Sequence, residues 1–311
     1  GTSIQRDAGM EDDPDRMFAY LKTETGNVVS DETLRDFCDT SAEALDWLQS
    51  HGAPFSATLH SEKASYPPLD KFLYHPDSSL SAPFRDLTRP AARGHRTVAR
   101  NGNKPWGLGA GVYNPLRDAA LKRGLVFHPQ AEVRQLAMDS AGRVIGAKVL
   151  QFSDAATARQ FSSLVAKASK WMAMLSPTFP GARLTCARGY HYLAKARKLE
   201  ARARRERWIR ARKGIVLSAG GFICNPEMVR HFAPDYAPGL PNGTLGDNGS
   251  GIMLGVSAGG ATGLMERISA WRFLSPPKSW GQAMLVNGVG ERFVNETWYG
   301  ARSRCVTCYK V

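Results

Sequence analysis

Three motifs in the second half of the chain combine residue types that could hold a bound cofactor. The apolar residues 215–217 run through Ser-Ala into Gly220 and Gly221, which is typical of a buried strand whose end passes close to another group. The turn at residues 246–251 (Gly-Asp-Asn-Gly-Ser-Gly) places one carboxylate among glycines, and residues 290–296 cluster acidic, basic and aromatic side chains. Together they indicate a cofactor site. The alternative is an ordinary strand end and loop, because glycine turns are common.

These motifs, in this order, resemble the fumarate reductase/succinate dehydrogenase flavoprotein superfamily. They read Ser-Ala-Gly-Gly-Phe at 218–222 with Asn225, Gly-Asp-x-Gly-x-Gly at 246–251, and Gly-Glu-Arg-Phe-Val-Asn-Glu at 290–296. Within it, the chain is most similar to the 3-ketosteroid dehydrogenase branch. That similarity is carried by Gly1-Thr2, Gln5, Asp13-Pro14, Met17-Phe18, Tyr20-Leu21, Trp47-Leu48, residues 51–55, residues 90–95 and residues 270–273. It covers nearly the whole chain except residues 151–210.

The resemblance implies FAD as the cofactor. The residues that it places on the cofactor are Thr2, Ala219, Gly220, Gly221, Asp247, Gly249 and Gly251. In such proteins the flavin carries out the redox chemistry, while the protein supplies position and electrostatics. The glycines would let the backbone approach the dinucleotide, and the carboxylate would contact the polar chain of the flavin. No metal is predicted, because His60, His75 and His95 do not lie at ligand spacing.

The same resemblance implies desaturation beside the ketone of a 3-ketosteroid or a similar apolar ketone. One carbon loses a hydride to the flavin, and its neighbour loses a proton to a base. Tyr299 is the predicted catalytic base, which requires its usual pKa of about 10 to be lowered. Two alternatives remain open: a tyrosine that only satisfies a local hydrogen bond, and a fumarate- or urocanate-type reductase with Arg302 as proton donor. For Arg292 and Glu296, the favoured interpretation is a structural ion-pair cluster.

Several parts of the family pattern are missing. The sequence begins at Gly1 without methionine, and no strand leads into a Gly-x-Gly-x-x-Gly turn. Its nearest imitation, at residues 107–111, follows Lys-Pro-Trp rather than a strand. The closing segment of the family, which carries further substrate contacts, is also missing after Val311. We therefore expect the chain by itself to be an inactive fragment.

The expected fold class is α/β: an incomplete Rossmann-like FAD-binding domain, the start of an α+β substrate domain, and an inserted helical arm. The predicted boundaries are residues 1–154 and 213–262 for the FAD-binding domain, 155–212 for the basic arm, and 263–311 for the substrate (capping) domain. Strands are expected at 125–128, 132–138, 143–152 and 215–217. Helices are expected to start near Pro14, Asp31 and Pro226 and to cover 155–175, 190–212 and 252–258.

The basic character of the chain is local. Its net charge is +13, and residues 195–213 contribute +8 of that through ten Lys and Arg against two Glu. Such a run can bind a nucleic acid or a membrane surface. A solvated helix is favoured, because charge runs usually mark solvated faces and Trp208 is the only aromatic residue in it. Nucleic acid is therefore not an expected partner, although a basic binding module stays an alternative.

Five cysteines bear on the compartment. Their odd number and wide spacing argue against a disulfide framework and favour a reducing, cytoplasmic location. Cys305 and Cys308 are interpreted as ordinary thiols, because no second pair of ligands lies at zinc spacing. No run is long enough to span a bilayer. No pattern identifies the electron acceptor.

Overall fold

A computed structural model of the chain describes residues 1–26, 28–64, 66–82, 84–98, 100–101, 104–105, 109–175, 179–268, 284, 286–293 and 295. The chain divides into two compact units, Gly1–Val126 with Ser269–Val311, and Phe127–Ile268. The domain boundaries expected from the sequence stay predictions.

The first unit is mixed helix and strand. Its elements are α1 (Ser3–Asp7), α2 (Pro14–Thr25), α3 (Asp31–Ser50), β1 (Leu59–Lys63), β2 (Leu73–His75), α4 (Phe84–Leu87), β3 (Gly94–His95), β4 (Arg100–Asn101), β5 (Lys104–Pro105) and α5 (Ala110–Lys122). In its three-stranded sheet, β1 pairs with β2 in parallel and β2 with β3 antiparallel. The five strands of this unit, between residues 59 and 105, are all short.

The helix starts of this unit follow local sequence signals. Asp13 caps α2 by accepting from the Arg16 backbone N–H at 2.8 Å, with proline in the first turn. Ser30 caps α3 through the Thr33 N–H at 3.2 Å. Short polar side chains at these positions satisfy amide groups that have no partner within the helix. Both predicted helix starts are confirmed.

A buried core and a buried ion pair hold the first unit together. Ile4, Leu45, Leu73 and Ala92 form one apolar cluster. Beside it, the Arg93 guanidinium donates to both oxygens of Asp12 at 2.7 and 2.8 Å. The side chains of this pair are only 10% and 4% exposed, respectively.

The second unit is built on an antiparallel sheet with helices between and after its strands. Its elements are β6 (Glu132–Met138), β7 (Val144–Phe152), α6 (Ala155–Met172), α7 (Ala182–Ala203), β8 (Arg204–Arg210), α8 (Pro226–Phe232), a short 3-10 helix (Pro234–Tyr236) and α9 (Ser250–Ser257). The strand order is β6-β7-β8. Leu136, Ala147 and Leu254 form a core cluster that joins the sheet to α9.

The second half of the basic run is a strand, so the helix predicted over residues 190–212 is wrong from Arg204 onward. β8 pairs with β7 along its whole length, from Phe152 opposite Arg204 to Gly146 opposite Arg210. The buried Arg204 side chain fixes the change of direction, because it donates to Glu132 and Glu200 and to the Leu150 carbonyl. Strand pairing overrides the helical preference of Arg and Glu.

Two predicted strands do not form. Residues 125–128 and 215–217 have no regular structure, and Val126 and Val216 are 73% and 91% exposed. A strand needs a neighbour to satisfy its backbone groups, and neither segment pairs with another strand within the described residues. The hairpin of β6 and β7, by contrast, is confirmed close to its predicted bounds.

Among the described residues, no helix is both long enough and apolar enough to cross a membrane.

Candidate cofactor-binding site

Two loops of the second unit, residues 218–225 and 243–251, lie directly against each other. The Gly249 N–H donates to the Gly221 carbonyl at 2.9 Å, and the Cys224 N–H donates to the Asp247 carbonyl at 2.8 Å. The Asn225 side-chain amide adds a bond to the Asn248 carbonyl at 3.0 Å. Six of the seven predicted cofactor-binding residues are therefore brought together in one unit.

Gly220 occupies a position that only glycine fits. Its φ is +81°, in the left-handed region that L side chains rarely adopt. A Cβ there would also overlap the Oδ1 atom of Asp247. The carboxylate thus occupies the space that a side chain at residue 220 would need. This reason for a glycine cannot be recognised from the motif alone.

The Asp247 carboxylate also organises its own loop. Its Oδ2 atom accepts from the Thr244 backbone N–H at 2.8 Å and from the Thr244 hydroxyl at 3.3 Å. A Cβ at Gly243 would lie only 2.6 Å from the same oxygen. The half-buried carboxylate therefore sits between two glycines and closes the turn at residues 244–247.

Gly249 and Gly251 permit the close packing of α9 against the first loop. Gly249 has a φ of +80°, and a Cβ there would overlap the sulfur of Met228. A Cβ at Gly251 would lie 2.8 Å from the Cβ of Ala219. Both glycines are buried. Atoms of Met228 and Ala219 fill the space beside these two glycines, and this packing holds the first loop at the start of α9.

Gly221 differs from the other glycines of the site. It is exposed, and a Cβ built on it would meet no atom within 4 Å. Its peptide is held in place by the bond to Gly249, while its Cα faces open space. The start of α9 lies beside it, and a helix start favours anionic groups such as a pyrophosphate. Rigid, bare backbone beside a helix start fits a dinucleotide cofactor such as FAD.

Thr2, the seventh predicted cofactor residue, lies in the first unit. Its hydroxyl accepts from the Gln5 N–H at 3.1 Å and lies 2.9 Å from His95 Nε2. His95 Nδ1 lies 3.0 Å from the Arg93 carbonyl, which can only accept, so Nδ1 carries the proton. In the neutral ring Nε2 then accepts from Thr2. The hydroxyl of this buried residue is thus fully engaged within the protein.

The hydrogen bond between His95 and Thr2 was not predicted from the sequence. The environment of His95 explains why its ring is neutral. Burial lowers the pKa of His95 below its usual value, and the hydrogen bond to the Arg93 carbonyl opposes part of that shift. Thr2, Asp12, Cys38, Arg93 and His95 line a cavity of about 280 Å³ in this unit. Nothing in the spacing of Thr2 and His95, which lie 93 residues apart, could have signalled this contact.

The predicted catalytic region is only partly described. Tyr299, Glu296 and Arg302 lie outside the described residues. Arg292 forms a bridge with Val286, and Asn287 caps the intervening turn through the Glu291 N–H at 2.9 Å. The Asn295 amide donates to the Ala82 carbonyl at 3.3 Å. Within the part described, this cluster acts as a structural turn.

The α/β fold and the paired glycine loops fit the class of dinucleotide-binding flavoproteins. Residues 1–307 match the family model of the FAD binding domain, and the chain belongs to this family. The predicted family, fold class and FAD cofactor are thereby confirmed.

Comparison with individual proteins refines the branch. The chain is 33% identical over 299 residues to a 3-oxo-5-alpha-steroid 4-dehydrogenase of Comamonas testosteroni, covering 92% of the chain and 52% of that relative. A solved 3-ketosteroid-delta4-(5alpha)-dehydrogenase of Rhodococcus jostii RHA1, in complex with 4-androstene-3,17-dione, matches at 25% identity and a TM-score of 0.76, over 99% of this chain and 53% of that one. The chain thus spans about half the length of these relatives.

A more distant neighbour shares the fold alone. It is a flavocytochrome c3 fumarate reductase in an open conformation, at 18% identity and a TM-score of 0.54, covering 98% of this chain and 41% of that one. The predicted similarity to the 3-ketosteroid dehydrogenase branch is confirmed by the relative at 33% identity, and the likeness to the fumarate reductase is one of fold.

Proposed function

We propose that the full-length natural protein is an FAD-dependent dehydrogenase that introduces a carbon–carbon double bond beside the ketone of a 3-ketosteroid or a similar apolar ketone. The observation that carries the proposal is the pairing of the Gly221 and Asp247 loops in a chain 33% identical to a steroid 4-dehydrogenase. The loop geometry supports the cofactor, and the identity supports the substrate class.

The described residues would hold the cofactor through backbone rather than side chains. The open peptide of Gly221, with Ala219 and Gly220 beside it, would border the dinucleotide, and Asp247 would fix the loop that faces it. Gly249 and Gly251 keep the start of α9 close to this peptide. Thr2 stays a proposed cofactor residue of the first unit, where its hydroxyl bonds the Gln5 N–H and His95. When bound, FAD supplies the acceptor for the hydride that leaves the substrate.

We propose Tyr299 as the base that removes the proton next to the ketone. As the C–H electron pair leaves with the hydride and the neighbouring proton passes to the phenolate, the double bond forms. A base of this kind typically contributes about 10²–10⁴-fold to the rate. A hydrogen-bond donor to the developing enolate oxygen would contribute about 3 kcal/mol. We also propose a cytoplasmic location, which the free thiols of Cys38, Cys186 and Cys224 support.

The test compares two substitutions in the full-length natural protein with FAD and a 3-ketosteroid. Tyr299→Phe removes the proposed base, and we expect turnover to fall by roughly 10²-fold or more with unchanged flavin content. Arg302→Gln is expected to keep turnover within a few-fold. The reverse pattern, with fumarate or urocanate reduced and sensitivity at Arg302, would favour the reductase alternative instead.

A further inference from the structure

A helical hairpin projects from the sheet of the second unit. α6 and α7 leave from neighbouring strands, and at their base the Ser153 N–H donates to the Ala203 carbonyl at 3.4 Å. Near the other end, a Cβ on Gly189 would overlap Met172 and lie 3.0 Å from the Ala168 carbonyl. The two helices are therefore closely packed and antiparallel, with residues 173–175 and 179–181 at the tip.

The hairpin carries one sign of charge. Residues 155–199 contain eight Lys and Arg and no Asp or Glu. The basic residues are Arg159, Lys167, Lys170, Arg183, Arg188, Lys195, Arg197 and Lys198. In the described part of the chain, none of them takes part in an ion pair with the protein. Such an uncompensated field attracts a polyanionic surface.

The tip adds exposed apolar side chains to this charge. Met174, Phe179 and Leu184 are 47%, 57% and 77% exposed. Leu184 shares a surface groove with Trp171 and Arg188, and the Arg188 guanidinium lies 5.1 Å from the centre of the Trp171 ring. Large apolar groups ringed by cations, without acidic residues, are the composition of segments that lie in a membrane interface.

We propose that the tip of the α6–α7 hairpin docks on an anionic lipid bilayer. Met174, Phe179 and Leu184 would enter the boundary between headgroups and acyl chains, while Lys170, Arg183 and Arg188 contact lipid phosphates. Transfer of apolar side chains from water into an apolar phase lowers the free energy. A nucleic acid would use the charges but leave Leu184 and Met174 in water, so the lipid surface is the better match. The docking does not depend on the proposed reaction.

The experiment is co-sedimentation of the full-length natural protein with vesicles of phosphatidylcholine alone or mixed with phosphatidylglycerol. We expect binding to the anionic vesicles only. Phe179→Ser with Leu184→Ser should weaken it roughly tenfold, and Arg183→Gln or Arg188→Gln roughly fivefold each. Val126→Ser and Lys122→Gln, on exposed residues of the first unit, are the matched controls and should leave binding unchanged. Circular dichroism checks that each variant is folded.

Three results would overturn the proposal. The unaltered protein does not sediment with anionic vesicles; or binding is unaffected by the two serine substitutions; or a single-stranded oligonucleotide binds in a manner lost on Arg188→Gln while vesicles do not bind. The last result would assign the hairpin to nucleic acid. Because no variant touches the flavin site, failure here would leave the proposed dehydrogenase intact, and loss of flavin would leave vesicle binding intact.

Discussion

The carboxylate of Asp247 lies against the α-carbon of Gly220, in the space that a side chain at residue 220 would fill. The two residues come from loops 27 positions apart in the sequence, and the bonds from Gly249 to Gly221 and from Cys224 to Asp247 hold those loops together. The absence of a side chain at Gly220 therefore leaves room for the Asp247 carboxylate. That carboxylate in turn fixes the loop that borders the open peptide of Gly221.

Gly220→Ala tests this relationship directly. We expect a loss of roughly 1–2 kcal/mol in the free energy of unfolding from the left-handed backbone, and a further loss from overlap with Asp247. Gly259→Ala is the matched control, because Gly259 has a φ of +90° but a Cβ there would meet no atom within 4 Å. Urea unfolding should therefore show the larger loss at residue 220.

The overlap with Asp247 can be separated by a double-mutant cycle. In an Asp247→Ala background, Gly220→Ala should lose less stability than in the unaltered protein, because the carboxylate is gone while the backbone strain remains. Equal losses in both backgrounds would show that the carboxylate does not press on residue 220.

The buried ion pair of the first unit should be costly to break. Asp12→Asn leaves the Arg93 guanidinium buried without its counter-charge, and we expect a loss of about 3–5 kcal/mol. Glu11→Gln is the control, because its pair with Arg89 is exposed and typically contributes about 0.2–1 kcal/mol. Asp12→Asn combined with Arg93→Gln should recover part of the loss. Thermal or urea unfolding measures all three, and similar losses for Asp12 and Glu11 would contradict the burial argument.

Stability should fall on the acidic side of neutrality. Burial lowers the pKa of His95 and of His75 in the folded state, so the unfolded chain binds more protons over that interval. Their contribution is fully present above the ordinary histidine pKa of about 6.5 and is lost as pH falls below it. We expect the free energy of unfolding, measured with urea across this pH range, to depend less steeply on pH in His95→Gln than in the unaltered protein. An unchanged slope would show that His95 does not titrate with unfolding.

The structure confirms predictions that rested on local signals. The caps Asp13, Ser30 and Asn225 start helices because their side chains bond amides two or three residues further on. The strands β6 and β7 were predicted at 132–138 and 143–152, and Gly142 in the Ser-Ala-Gly turn between them takes the positive φ that such a turn favours. Neither feature needs a distant partner.

Features that depend on distant partners could not be predicted. β8 forms because β7 offers it an edge and Arg204 finds Glu132, 72 residues away. The run at 215–217 looks like a buried strand but pairs with no other strand in the described part of the chain, although Ile215 packs against the core cluster. In the site, the motif order indicated which loops matter, while the reason for glycine at 220 depends on a carboxylate that only the folded chain brings near.

FAD titration of the full-length natural protein, followed by flavin fluorescence, asks whether the Gly221 peptide borders the cofactor. Gly221→Ala is compared with Gly263→Ala, because a Cβ at either glycine would meet no protein atom and neither has a left-handed backbone. We predict that the unaltered protein and Gly263→Ala bind FAD equally well, while Gly221→Ala, equally stable without FAD, binds roughly tenfold more weakly through overlap with the ligand. Equal affinity for all three forms, or no binding of FAD by the unaltered protein, would contradict the assignment of this site.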